Sequence, residues 1–351
     1  MVNKLHNIIR VEEAVRLEKP IFIDMRSPAE YAVGHIPGAV NIPLFSDTER
    51  CDVGTIYRQI GVEEAKQKGL AYVSVKLPDI VEQVRQLYKS GNKVVIYCWR
   101  GGMRSKSVVT VLEMMGISCC QLLGGYKAYR QHVLDRLKEF EVKPVIVVLC
   151  GSTGTGKTMI LQQLAERNIS VIDLERLANH RGSVFGQIGL GKPATAQNFD
   201  AALLAALDNL NSQTYIVVEC ESKRIGNVYL PECLFNAMKQ GKRILVSTNI
   251  EMRVDRLIQE YLNIFSKNDK AILTSIESLR KRLGNKKTDN LLTDFKAGKV
   301  RDVVKILLME YYDPMYGYEK ADVAEYDIGV NADNLEQATE IITQYLQQVG
   351  R

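Results

Sequence analysis

An apolar run rich in β-branched residues, Val145-Ile146-Val147-Val148-Leu149, leads through Cys150 into Gly151-Ser152-Thr153-Gly154-Thr155-Gly156-Lys157-Thr158. The pattern is G-x-x-x-x-G-K-[ST], and its mechanism requires strand, tight loop and helix in that order. The chain is thereby committed to an α/β arrangement here. In that geometry backbone N–H groups wrap a di- or triphosphate and Lys157 neutralises its terminal group; the Thr158 hydroxyl is the metal ligand if Mg²⁺ takes part.

A second loop of related geometry lies upstream. Val94-Val95-Ile96-Tyr97 feeds Cys98-Trp99-Arg100-Gly101-Gly102-Met103-Arg104-Ser105. A loop leaving a strand and entering a helix presents successive N–H groups to one point, and the helix dipole adds partial positive charge. Gly101 and Gly102 relieve the steric limits on so tight a cradle, and Arg100 and Arg104 add full charges. A cysteine at the mouth of such a loop is expected to have a lowered pKa and to be nucleophilic. Of the seven cysteines, Cys98 is thus the one with a reason to react. Cys119, Cys120, Cys150 and Cys220 lie in strand-like runs, where cysteine usually serves as a small buried hydrophobe.

With 351 residues the chain is long enough for two domains. An odd cysteine count without a CxxC pair argues against a zinc site and against a disulfide framework. No apolar stretch approaches the ~20 residues of a membrane span, and Met1 to Arg10 lacks the core of a signal peptide, so a cytoplasmic protein is expected. The net charge of +5 permits an RNA partner without demanding one.

Strand and helix signals alternate through the first half, with strands at Ile21–Ile23, Val94–Tyr97 and Ile117–Leu122 and helices near Ala29–Val33, Ile80–Tyr88 and Arg104–Met115. This predicts a parallel sheet covered by helices. A helix from about Tyr126 to Phe140 runs into Pro144, which disfavours helix before it and marks the boundary between domains 1–143 and 144–351. The second domain continues with strands at Val171–Ile172, Tyr215–Val218 and Arg243–Ser247. It then turns helical over Glu251–Asn263, Ile272–Leu283, Val300–Tyr311 and Leu335–Val349, the last capped by Asn334.

Further candidates surround the phosphate loop. An ATPase normally supports its metal with an acid ending an apolar strand. Here Tyr215-Ile216-Val217-Val218-Glu219 ends in Glu219, with Glu221 beyond it, and Asp173 follows Val171-Ile172. Arg181, in His180-Arg181-Gly182-Ser183, sits in a glycine-rich basic loop suited to a phosphate or an RNA backbone. Arg253 and Arg256 fall where P-loop kinases place arginines near phosphates. Arg280, Lys281, Arg282, Lys286 and Lys287 form a run without an acid, which reads as a solvated helix face or a nucleic-acid footprint.

Several segments carry a family resemblance. Asp24-Met25-Arg26-Ser27-Pro28-Ala29-Glu30-Tyr31, Gly34-His35-Ile36-Pro37-Gly38-Ala39 and Asn41-Ile42-Pro43, followed by Cys98 to Arg104 and Gly124-Gly125-Tyr126, resemble rhodanese sulfurtransferase domains over residues 10 to 140. Asp24 and Arg26 read as scaffold and His35 as a structural hydrogen-bonding residue. A rhodanese domain followed directly by a P-loop domain resembles the bacterial tRNA 2-selenouridine synthases over nearly the whole length. Asp173-Leu174-Glu175, Glu219-Cys220-Glu221-Ser222 and Tyr312-Asp313-Pro314-Met315-Tyr316 add to that likeness.

The resemblance implies an N-terminal rhodanese-like domain and a C-terminal P-loop NTPase-like α/β domain with a helical extension. It also implies a tRNA-modifying transferase acting on wobble 2-thiouridine through an S-geranyl intermediate, with geranyl diphosphate and selenophosphate as donors, tRNA as partner, no tightly bound cofactor and no membrane. The P-loop would then clamp a leaving diphosphate. Cys98 would hold or deliver selenium as a Cys–Se adduct, aided by Arg100, Arg104 and the loop amides. Two other readings stand beside it. One is an ATP-dependent rhodanese-type sulfurtransferase or kinase fusion; the other is a regulatory protein with a degenerate P-loop, against which the intact Lys157-Thr158 argues. The P-loop ligand is open between prenyl diphosphate and ATP.

Overall fold

The computed structural model describes residues 7–88, 92–183, 185–265, 269–318 and 325–350. Residues 1–6 of the N-terminal stretch lie outside the described residues. The chain divides into two compact units, Met1–Glu139 with Thr195–Ala205, and Phe140–Ala194 with Ala206–Arg351.

The first unit is built on strands β1 (Ile8–Ile9), β2 (Pro20–Asp24), β3 (Val40–Asn41), β4 (Lys93–Tyr97) and β5 (Cys119–Leu122), in the order β1-β5-β4-β2-β3. Every pairing is parallel. A parallel strand covered on both faces must be apolar throughout, and central β4 is buried from Val94 to Tyr97. Ile23, Ile80, Val84, Ile96, Val109 and Leu112 form the core beneath the helices. The helix Pro28–Val33 starts on a reciprocal capping box, Ser27 Oγ accepting from Glu30 N while the Glu30 carboxylate accepts from Ser27 N. Asp24 and Arg26, the expected scaffold pair, are fully buried and bound through two guanidinium nitrogens. His35 does act structurally, stacking on Tyr31 at 4.0 Å between ring centroids, with Nδ1 3.0 Å from the Tyr31 carbonyl.

Thr195–Ala205 joins this unit through specific contacts that no local pattern foretells. Thr195 Oγ1 donates to Val33 O (2.7 Å), His35 N donates to Asn198 Oδ1 (3.0 Å), and Arg130 pairs with Asp200 (2.7 Å). The segment is most of the helix Ala196–Leu210, whose remainder from Ala206 belongs to the second unit. The units therefore differ from a single cut at Pro144.

In the second unit, β6 (Val145–Cys150), β7 (Val171–Ile172), β8 (Tyr215–Glu219), a two-stranded ribbon β9 (Arg224–Ile225) and β10 (Val228–Tyr229), β11 (Lys242–Ser247) and β12 (Ile328–Asn331) follow in chain order. The main sheet runs β12-β11-β6-β8-β7, all parallel. The phosphate loop thus leaves its central strand, as a doubly wound sheet requires of a ligand site. Asn334 caps Leu335–Val349, accepting from Gln337 N at 3.1 Å. Two expected helices are interrupted. Ile272–Leu283 is split into Asp269–Ser278 and Arg280–Leu283, and Val300–Tyr311 becomes Val300–Leu307 followed by a π-helical turn, Leu308–Tyr312. These helices enclose their own apolar core around Val254, Ile276, Leu291 and Leu308. Among the described residues no helix is long and apolar enough to cross a membrane.

Candidate active site

Cys98 to Gly102 bridge β4 and the helix Met103–Met114. Gly102 N donates to Cys98 Sγ (3.3 Å), which also lies 3.2 Å from Ser105 Oγ. Gln121 on β5 holds the curve from behind, its amide reaching Gly101 O (2.8 Å), Gly102 O (3.2 Å) and Ser105 Oγ (2.8 Å). On the other side the helix Gly125–Lys138 closes on the loop, Tyr126 N donating to Cys98 O and Lys127 N to Trp99 O at 2.8 and 2.9 Å. That approach needs glycine, since a Cβ at Gly125 would stand 2.2 Å from Cys98 O at a φ of +59°.

The thiol read as standing at the loop's mouth is only 3% exposed. Its neighbours, not bulk water, set its surroundings. Arg100 is exposed at the rim. Arg104 instead turns to Glu30, with nitrogen–oxygen distances of 2.7 and 3.3 Å. Burial works to raise the Glu30 carboxyl, yet the Arg104 bond holds it below its ordinary value. Much of the Arg104 charge is therefore spent within the protein. Gln121 was not foreseen as part of this site; a buried polar residue inside the strand Cys119–Leu122 was the available signal.

Gly151 to Gly156 link β6 to the helix Lys157–Glu166. Lys157 Nζ donates to Gly151 O (2.7 Å) and Ser152 O (3.1 Å), folding the side chain back over the loop. Gly154 and Gly156 have φ of +82° and +95°, and a Cβ at Gly154 would press on the Arg253 backbone at 3.0 Å. Arg253 and Arg256 do reach the loop, through its carbonyls: Arg253 Nε donates to Thr153 O and Arg256 to Thr155 O, both at 2.8 Å. The remaining nitrogens of Arg253 pair with Asp313 at 3.0 and 2.5 Å, both side chains being buried. Thr158 is exposed at the start of the helix.

Acidic groups crowd the same place. Glu219 ends β8 almost completely buried; its Oε1 accepts from Glu175 N (2.7 Å), and its Oε2 is buried without a hydrogen-bond partner among the described residues. Burial first, then Asp173, pushes Glu219 up to about 8. Burial and Glu219 push Glu175 up to about 7, and burial and Glu175 push Glu221 up to about 8. Burial lowers Lys157, while Glu175 and Glu221 act against that shift. Asp173 caps the helix Leu174–Ala178, accepting from Arg176 N at 2.7 Å. Glu175 was missed as a site residue; its spacing from Asp173 at a strand end was the available signal.

Arg181 is held within its loop, donating to Ile188 O (3.0 Å) and pairing with Glu260 (2.6 Å). Cys220 is not an inert hydrophobe: hydrogen bonding to Cys150, against the effect of burial and with help from Tyr318 (3.3 Å), lowers its thiol to about 6. Within the basic run, Arg280 pairs with Glu277 and Asp289, Lys287 with Glu310, and Arg282 meets the Tyr311 hydroxyl. Lys281 and Lys286 are exposed.

No group of three or more His, Cys, Asp or Glu among the described residues is arranged to hold a metal. A magnesium ion carried mainly by phosphate oxygens needs only one or two protein ligands, and the exposed Thr158 hydroxyl fits that need.

The fold and the two loops define a rhodanese-like domain joined to a P-loop α/β domain. Comparison with known proteins agrees. A family model for rhodanese-like domains matches residues 8–132, and one described as the tRNA 2-selenouridine synthase AAA domain matches residues 144–349. A tRNA 2-selenouridine synthase of Pseudomonas syringae pv. syringae is 37% identical over 330 residues, 85% of this chain and 88% of the relative. Another, from Hydrogenovibrio crunogenus, is 35% identical over 334 residues, 88% of this chain and 91% of that one. A crystal structure of the N-terminal domain of a Clostridium difficile 630 protein is 50% identical, covering 36% of this chain and 99% of that chain with a TM-score of 0.36. The chain belongs to the tRNA 2-selenouridine synthase family.

Proposed function

We propose that the chain is a tRNA-modifying enzyme that replaces the sulfur of a wobble 2-thiouridine by selenium through an S-geranyl intermediate, using geranyl diphosphate and selenophosphate. The observation that carries this reading is the presence of two intact anion cradles in one member of this family, one around Cys98 and one around Lys157.

In the first step the thiocarbonyl sulfur forms a bond to C1 of the geranyl group, and the C1–O bond breaks with its electron pair moving onto the diphosphate. The loop amides and Lys157 stabilise that charge as it develops. Arg253 and Arg256 act through the loop, tying down its carbonyls. The base loses its N3 proton, and the Glu175–Glu221 pair, titrating near neutrality beside Lys157, is suited to receive it. Thr158 would hold a magnesium ion, whose contribution is to neutralise phosphate oxygens.

In the second step selenium of selenophosphate adds at C2, and the alkylated sulfur leaves as geranylthiol, a far better leaving group than a thione. Water then splits the Se–P bond, releasing phosphate and leaving selenium on the base. No atom changes oxidation state overall. The Cys98 loop holds the anionic donor, with Gly102 N–H and Ser105 beside the sulfur and Arg100 at the rim. A covalent Cys98–selenium adduct would need an oxidant that neither donor supplies, so Cys98 is assigned to holding the donor.

The test is mass spectrometry of nucleosides from 2-thiouridine-containing tRNA treated with the full chain. Geranyl diphosphate alone is expected to yield S-geranyl-2-thiouridine, and later addition of selenophosphate to yield 2-selenouridine. Absence of both products, or a requirement for ATP hydrolysis in forming either, overturns the reading.

A further inference from the structure

Trp99, the only tryptophan in the chain, stands between Cys98 and Arg100, and neither step of the proposed reaction uses it. It is 38% exposed, whereas the nearby rings of Tyr97 and Tyr126 are buried. Covering a large aromatic surface is favourable, so an indole left partly in solvent beside the reacting loop has surface still to bury.

The indole is held from within the protein. Arg26, fully buried and bound to Asp24, carries its guanidinium 5.9 Å from the Trp99 ring, 4.0 Å from that of Tyr126 and 5.8 Å from that of Tyr97. The Trp99 and Tyr126 rings lie 5.9 Å apart at 41°. Lys127 N donates to Trp99 O at 2.9 Å, so the helix that closes on Cys98 also pins this backbone. A side chain fixed in this way loses little further freedom when a planar group settles on it.

The chemistry says what that group is. Cys98 and Arg100, the neighbours of Trp99 in the chain, are the residues assigned to the selenium donor, and C2 of the base must come within bonding distance of that donor. A nucleophile adds to C2 from one face of the ring, which leaves the other face to be covered and oriented. Unstacked RNA bases are commonly held by stacking on an aromatic side chain. We infer that Trp99 is the stacking platform for the wobble base while it is at the Cys98 loop. The inference rests on the reading that this loop serves the selenium step. Trp99 orients the base and exchanges neither a bond nor a proton with it.

Because no other tryptophan is present, emission excited where tyrosine does not absorb reports on this residue alone. The experiment titrates the full chain with anticodon stem-loop RNAs whose wobble nucleoside is S-geranyl-2-thiouridine, S-methyl-2-thiouridine or an abasic sugar. Both alkylated bases are expected to quench the emission saturably, and the abasic loop to leave it unchanged. In selenation assays Trp99→Ala is expected to raise KM for the geranylated loop about tenfold or more with the melting transition retained, and Trp99→Phe about threefold or less. Equal quenching by all three RNAs overturns the assignment, as does quenching by the S-geranyl loop alone, which would put the hydrocarbon on the indole. A folded Trp99→Ala with unchanged KM, or a Trp99→Phe as impaired as Trp99→Ala, overturns it too. If Trp99→Ala does not fold, the titrations decide. Wild-type selenation without base-dependent quenching overturns this assignment alone, and failure to selenate any geranylated RNA overturns the underlying reading as well.

Discussion

Three carboxyl groups, Glu175, Glu219 and Glu221, act on one another near the phosphate loop, and two of them, Glu175 and Glu221, act on Lys157. Ionised together, Glu175, Glu219 and Glu221 would repel a diphosphate; burial and mutual repulsion push them up to about 7 and 8, which lessens that repulsion near neutral pH. The same shifts make stability depend on pH. An unfolded glutamate titrates near 4.5, so between that value and about 8 the folded protein holds protons that the unfolded chain has lost. The stabilisation is complete below about 4.5 and disappears as pH rises through about 8. The melting temperature of the P-loop unit is therefore expected to fall by roughly 3 °C or more between about pH 6 and about pH 9, and Glu219→Gln to flatten the profile. Parallel profiles for variant and wild type, followed by calorimetry of the full chain, would contradict this. Such proton storage was not legible in the sequence, because Glu219 reads there as an ordinary strand-end acid; what raises it is burial combined with Asp173, brought near by the β7–β8 pairing.

Among the elements, the strands and helices that carry the two loops were legible because each has a strong local signal. β4 and β6 are continuous apolar runs, and glycines punctuate both loops. The π-helical turn was not, since Val300 to Tyr311 has an unbroken helical pattern and the extra residue per turn is paid for by long-range packing. That packing includes the buried Arg253–Asp313 pair, which anchors the turn's end to the phosphate loop. Removing one partner of a buried ion pair typically costs about 3–5 kcal/mol because the other charge is stranded. Asp313→Leu alone is expected to lower the melting temperature by roughly 6 °C or more, and Arg253→Met with Asp313→Leu to recover most of that loss. The double variant should still bind pyrophosphate more weakly than wild type, since Thr153 O loses its partner. Full recovery of both properties in thermal melts and pyrophosphate titrations would show that the pair does not position the loop.

At the scale of the whole molecule, the order of a rhodanese-like part and a P-loop part was readable from motifs, but the membership of each was not. Thr195–Ala205 belongs with the first unit through Thr195–Val33, Asn198–His35 and Arg130–Asp200 contacts, whose partners lie far apart in the chain. The central claim is a division of labour: the P-loop supports alkylation of sulfur, and the Cys98 loop supports its replacement by selenium. It is tested most directly by following both half-reactions in Lys157→Ala and Cys98→Ala by nucleoside mass spectrometry, with 2-thiouridine tRNA and geranyl diphosphate in one assay and pre-geranylated tRNA and selenophosphate in the other. Lys157→Ala is predicted to lose geranylation by about a hundredfold or more while retaining selenation, and Cys98→Ala to show the reverse. Loss of selenation on pre-geranylated tRNA by Lys157→Ala, with geranylation intact, would contradict the account.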